Sequence, residues 1–224
     1  MRVKGLLTAS VLRPKALREL LLYLAQAEFY DPRWSPQIID EMRQGILAED
    51  PRRNAHQIDR IIAAMRELFP DADVFDDNEV IAGRITTNTQ YRHVVAAAYF
   101  DSVDCIVTLR RDFPVLDCSR LGIAVRTPDQ VACRCVHDDP VLVCQLLTEQ
   151  AARLSNPLKA SVEVAELLGA LEPQVPRFAT IVSQHFGIVP SVKRSDIEHP
   201  VERWNLDENL GDRNPDSRGP EGDL

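Results

Sequence analysis

Arg92 and His93 open an otherwise apolar helix in the stretch TTNTQYRHVVAAAYF, residues 86–100. Arg110, Arg111 and Asp112 follow the apolar run CIVTL, and Glu41 stands inside WSPQIIDEM. Arginine side chains are suited to phosphate, because the guanidinium presents several donors in a plane. Each residue also has a structural reading. Glu41 can be a solvated helix residue, and Asp112 can cap the turn before Phe113 and Pro114. His93 can be a half-buried residue bonded to backbone, and Arg92 a surface ion-pair partner. Cys133, Cys135 and His137 spell C-x-C-x-H, but residues i and i+2 on a helix point to different faces, which argues against a shared zinc ion. The chain has no P-loop, GxGxxG, GxSxG or HExxH pattern, so readings that rest on those motifs lack support.

The elements that must position these groups are legible in the apolar pattern. Residues 3–9 predict a buried strand and 14–27 a helix with Leu17, Leu20, Leu21 and Leu24 on one stripe, Pro14 taking its first position. Ser35 and Pro36 read as cap and N1 of a second helix. A third helix is predicted over 53–69, a short strand over 72–75, and a helix from about Gln90 to Phe100 capped by Thr89. Strands follow at 105–109 and 122–125, then a helix after Thr127 and Pro128. Short apolar strands alternating with amphipathic helices predict an α/β fold with a mostly parallel sheet. After residue 138 the pattern is helical only: DPVLVCQLLTEQAARL, SVEVAELLGALE and VPRFATIVSQHF. The division expected is 1–137 for the α/β domain, 138–190 for a helical extension, and 191–224 for a polar tail of disordered character. In such a sheet ligands bind beyond the carboxyl ends of the strands. That singles out residues 8–14, 88–93 and 108–114, with Glu41 facing the same crevice.

Composition narrows the classes. The 224 residues carry a formal net charge of -8, and the tail 193–224 alone, with 5 basic and 9 acidic residues, accounts for half of it. General polyanion binding by bulk charge is excluded, and nucleic acid would need a local basic patch. Arg13, Lys15 and Arg18 form one such cluster, either a solvated face or the border of an RNA path. No apolar run is long enough for a membrane span. The start MRVKGLLTASVL reads as a strand rather than a signal peptide. Five cysteines without paired spacing read as free thiols in a reducing compartment, hence a cytoplasmic protein.

The ordered set LLTASVLRP, WSPQIIDEM, YRHVVAAA, IVTLRRDFP and LGIAVRTPDQV resembles a PIN-domain protein. More narrowly it resembles the VapC-type toxins with a helical C-terminal region. The likeness covers residues 3–187, and QAARLSNP and VPRFA resemble that subfamily's extension. It implies a PIN-like three-layer α/β fold and a divalent-metal-dependent endoribonuclease. Such chemistry needs several carboxylates converging on one or two Mg²⁺ or Mn²⁺ ions, which activate water and neutralise charge on the phosphate. In relatives an aspartate stands where this chain has Thr8, another where it has Tyr91, and acids precede that helix where it has Asn88, Thr89 and Gln90. Between VT and DFP this chain is one residue shorter. Only Glu41 and Asp112 match acidic positions, and the resemblance makes them the catalytic metal ligands, assisted by Asp76, Asp77 or Glu79. Arg92 or Arg110 would hold the substrate phosphate.

Two carboxylates hold a hard cation weakly, and a phenol with a pKa of about 10 is a poor ligand at neutral pH. Tyr91 then reads as a plug in the space an aspartate-bound metal would use. Weak Mg²⁺ or Mn²⁺ binding is expected, with a weakened active site. The other reading is a catalytically inactive PIN fold that binds RNA or protein. A cognate antitoxin and a homodimer are partners implied by the resemblance. A third reading makes the chain a protein–protein module whose acidic tail meets its partner.

Overall fold

The computed structural model describes residues 2–50, 52, 54–74, 90–154 and 164–187. Its centre is a four-stranded sheet in the order β2-β1-β3-β4, with β1 at Lys4–Leu7, β2 at Asp31–Arg33, β3 at Cys105–Val107 and β4 at Ala124–Arg126. All pairings are parallel, with Leu6 opposite Arg33 and Ile106, and Ile106 opposite Val125. The parallel sheet predicted from the strand–helix alternation is present. Strands covered on both faces must be apolar on both, and β3 is buried at all its positions. The chain enters β1 between an ion-paired set: Lys4 Nζ and Arg33 Nε lie 3.3 Å and 3.1 Å from Asp101 Oδ2.

The first expected strand is cut short. β1 ends at Leu7, and Thr8 turns the chain into a short helix α1, Ala9–Leu12. Pro14 cannot donate a backbone hydrogen bond, so the chain breaks there and restarts as α2, Lys15–Gln26. Pro14 is therefore the cap of α2 and not its first residue. The buried Leu17, Leu20, Leu21 and Leu24 lie on one face of α2. Arg18 belongs to this joint: it is 3% exposed, and Nη1 donates to the Leu12 carbonyl at 2.8 Å. Arg13 and Lys15 are committed to Glu49 and Glu19 at 3.3 Å and 4.0 Å. Each member of the basic cluster read from the sequence thus has a partner within the chain, and the Arg13 side chain remains 42% exposed.

Ser35 caps α3, Pro36–Glu49, by accepting from Ile38 N at 3.3 Å, with Pro36 leading the helix. Asn54 caps α4, Ala55–Leu68. The short strand expected at 72–75 is reduced to one parallel bridge between Trp34 and Asp73, and Phe75 lies outside the described residues. Helix α5 spans Arg92–Phe100 with Tyr91 at its cap; the expected cap Thr89 lies outside the described residues, as do Asp76, Asp77, Glu79 and Asn88. A further helix, α6 at Val115–Arg120, connects β3 to β4. Helix α7, Pro128–Asp138, begins at a complete Thr127–Gln130 capping box.

The helices that follow are α8, Pro140–Leu154, α9, Val164–Leu171, and α10, Pro176–Phe186, which ends at Gly187 with φ 61°. That positive φ suits glycine at a helix end. Helix α10 packs on α7, and α2 meets α7, α8 and α9. One buried cluster runs from Leu6 in β1 to Val182 in α10. Asp129 in α7 ties the two parts directly, its Oδ1 accepting from Phe178 N at 2.9 Å and so capping α10 from another helix. The polar tail 191–224 lies outside the described residues.

Candidate functional site

In the order β2-β1-β3-β4, the connections leave β1 and β3 toward opposite edges. The carboxyl ends of these two neighbours are therefore the switch point at which an open parallel sheet places its ligands. Hydroxyl groups meet there. Thr8 N and Oγ1 both donate to the Val107 carbonyl at 3.1 Å. Ser10 Oγ lies 2.9 Å from Thr8 Oγ1 and 3.4 Å from Thr108 Oγ1, and accepts from Leu109 N at 3.2 Å. Thr108 Oγ1 accepts from Arg110 N at 3.1 Å. The chain of hydroxyls thus joins the two strand ends and fixes the backbone from which Arg110 projects. Thr8 and Thr108 are buried, so a charge placed at either would lose much of its hydration.

Arg110 links these hydroxyls to Tyr91 and Asp112. The Tyr91 ring is buried and packs on Phe113, with centroids 4.8 Å apart. Its hydroxyl donates to Asp112 Oδ2 at 2.8 Å and accepts from Arg110 Nε at 3.0 Å. Arg110 also reaches Asp112 directly, Nη2 lying 3.4 Å from Oδ2 and Nε 3.3 Å from Oδ1. The guanidinium carbon stands 6.0 Å from the Tyr91 ring centroid, within reach of a cation–π contact. Burial first, and then the bond to Asp112, push the Tyr91 pKa up. The bond from Tyr91, with Arg110 beside it, holds Asp112 below the ordinary carboxylate value.

A carboxylate with a lowered folded-state pKa stabilises the fold above its ordinary value of 3.8, and that contribution is lost as pH falls through the lowered value. Tyr91→Phe keeps the ring packing but removes the O–H donor. The expected result is an Asp112 midpoint that rises toward 3.8, read by carboxyl-carbon NMR. An unmoved midpoint would show that the phenol is not the group holding Asp112.

Glu41 of α3 and His93 of α5 meet as a second pair. His93 Nε2 is 3.0 Å from Glu41 Oε1, yet that nitrogen makes no aligned hydrogen bond. Arg92 is half-buried, and its Nε has no hydrogen-bond partner. Arg111 is exposed. Cys135 is buried and its thiol is pushed up to about 12 by that burial, while Cys133 Sγ turns to Asp129 Oδ1 at 3.9 Å.

The arrangement therefore brings Arg110, Asp112 and Tyr91 together and pairs Glu41 with His93. The residues described do not fit a hard-cation centre: Asp112 is engaged by a guanidinium and a phenol, Glu41 faces an imidazole, and position 8 offers a hydroxyl already bonded to backbone. Among the described residues no group of three or more His, Cys, Asp or Glu side chains is placed to hold a metal ion. Ser10 and Thr108 fall inside the strand-end segments 8–14 and 108–114, with no motif that marks either residue individually. Their only signal is a hydroxyl just past each apolar strand. No protein-family model, no curated protein and no solved structure matches this chain.

Proposed function

We propose that this chain is a VapC-type PIN-like protein that binds RNA phosphate through arginine and hydroxyl donors and does not cleave it. The observation that carries the reading is the Tyr91–Asp112–Arg110 cluster. A phenol stands at the helix start where cleavage chemistry would need a carboxylate, and it occupies Asp112, one of the two carboxylates that remain. Arg110 and the exposed Arg111 follow β3 and Arg92 begins α5, and guanidinium groups can grip a phosphodiester without a metal. Binding of this kind weakens with salt, because each neutralised phosphate releases counterions. A cognate antitoxin, self-association and a cytoplasmic location belong to the same proposal through the family resemblance. Among the described residues no helix is long and apolar enough to cross a membrane.

A residual endoribonuclease is the second reading. It is favoured by the exposure of the Glu41 and Asp112 side chains, 43% and 58%, which leaves both accessible to a cation from solution. In that reading the two would hold Mg²⁺ or Mn²⁺ with help from Asp76, Asp77 or Glu79. Incubation with a mixed tRNA and rRNA pool separates the two. The expected result is RNA retained in complex in EDTA and left intact in Mn²⁺. Cleavage that requires Mn²⁺ and disappears in Glu41→Gln would establish the second reading instead.

A further inference from the structure

We infer that Asp112 is an internal anion lodged in a phosphate site built by Arg110 and Tyr91, so that RNA phosphate and Asp112 compete for the same donors. The identity of the ligand as RNA rests on the function proposed above; the competition itself rests on the geometry alone.

Two donors converge on one carboxylate oxygen. Asp112 Oδ2 accepts from the Tyr91 hydroxyl at 2.8 Å and faces Arg110 Nη2 at 3.4 Å. Arg110 Nε in turn donates to the Tyr91 oxygen at 3.0 Å, which orients the phenol hydrogen toward the anion. A phenol and a guanidinium aimed at one oxygen are the donors that a phosphate oxygen also requires.

The phenol is held by the core, the Arg110 side chain is 49% exposed, and the anion is the most exposed of the three. Tyr91 is 7% exposed and clamped by Phe113. The Arg110 backbone is tethered to Thr108 Oγ1. Asp112, by contrast, lies between β3 and α6 with its side chain 58% exposed. It can leave by rotation about its own side-chain bonds, with no rearrangement of the core. While it stays, its charge offsets that of Arg110 and repels an approaching phosphate. The net result is a site whose affinity for phosphate is held down by its own residue.

The test uses the full chain in EDTA with a fluorescein-labelled single-stranded RNA, and inorganic phosphate as a second probe. Asp112→Asn keeps the shape and removes the charge. It is expected to tighten RNA binding roughly tenfold and steepen the salt dependence, as removal of a competing charge beside the site requires. In the Arg110→Gln, Asp112→Asn double variant the gain is lost. Phosphate should shift the Arg110 Nε resonance in Asp112→Asn at lower concentration than in the wild type. Thermal midpoints of all variants confirm folding, which these exposed positions should leave nearly unchanged.

An Asp112→Asn variant that binds both probes no better than the wild type overturns the inference. Tighter phosphate binding by Asp112→Asn with no RNA binding by any variant supports the masked phosphate site and overturns the RNA reading instead.

Discussion

The Thr8→Asp, Tyr91→Asp double variant is expected to bind Mn²⁺ about tenfold or more tightly than the wild type, because hard-cation affinity follows the number of charged oxygen ligands. Tyr91 is the decisive position. Its phenol is pushed up by burial and by Asp112, so it stays neutral and cannot supply anionic oxygen at neutral pH. An aspartate there removes the O–H bond that occupies Asp112 and adds a second carboxylate beside it. An aspartate at position 8 adds a third at the end of β1, but it must displace the bonds from Thr8 Oγ1 to Val107 and Ser10. Three acids brought together without a cation repel one another, and the buried one is poorly solvated.

The double variant should therefore be less stable than the wild type in EDTA and recover on adding Mn²⁺, since a ligand that binds only the folded state stabilises it by mass action. Calorimetric titration with Mn²⁺ reads the affinity, and the melting temperature with and without the ion reads the linkage. If neither changes, the site does not lie between these two positions.

Phe178→Ala is expected to remove about 3–5 kcal/mol of folding stability, the range for truncating a fully buried aromatic residue. Phe178 is 0% exposed and sits in the first turn of α10, where its backbone N–H is capped by Asp129 of α7. Loss of the ring would open a cavity at α10, which packs on α7 in one of the contacts that join the helical extension to the sheet-bearing part. The two parts share one buried cluster. Urea unfolding followed by both far-UV circular dichroism and tryptophan fluorescence should then show a single transition at lower urea. Trp34 reports the sheet side, being fully buried where β2 leads into α3. Two separate transitions, with Trp34 unmoved, would mean that the extension folds as its own unit.

The amino-acid sequence by itself determined the architecture wherever the cause is local. The leucine stripe of α2, the Ser35–Pro36 start of α3 and the Thr127–Pro128 start of α7 each lie within a few residues, and so do the interactions that form them. The apolar runs at 5–7 and 105–107 likewise needed burial on both faces, which a parallel sheet supplies. Two other features were not legible because their physical causes span the chain. At the end of β1 the Thr8 side chain is bound to Val107, 99 residues away. The capping of α10 by Asp129 depends on the docking of two helices whose contact lies 49 residues apart in sequence.

The site divides in the same way. The family resemblance pointed to Tyr91, Glu41, Arg110 and Asp112, but which groups would meet was not written in their spacing. Tertiary structure decided that Tyr91 bonds Asp112 across 21 residues, that Glu41 faces His93, and that Ser10 and Thr108 join the ends of β1 and β3. The reason is physical: capping and periodicity act over one or two turns of chain, whereas a hydrogen bond between side chains depends on a few tenths of an ångström in the placement of separate elements, and only the packed fold fixes that placement.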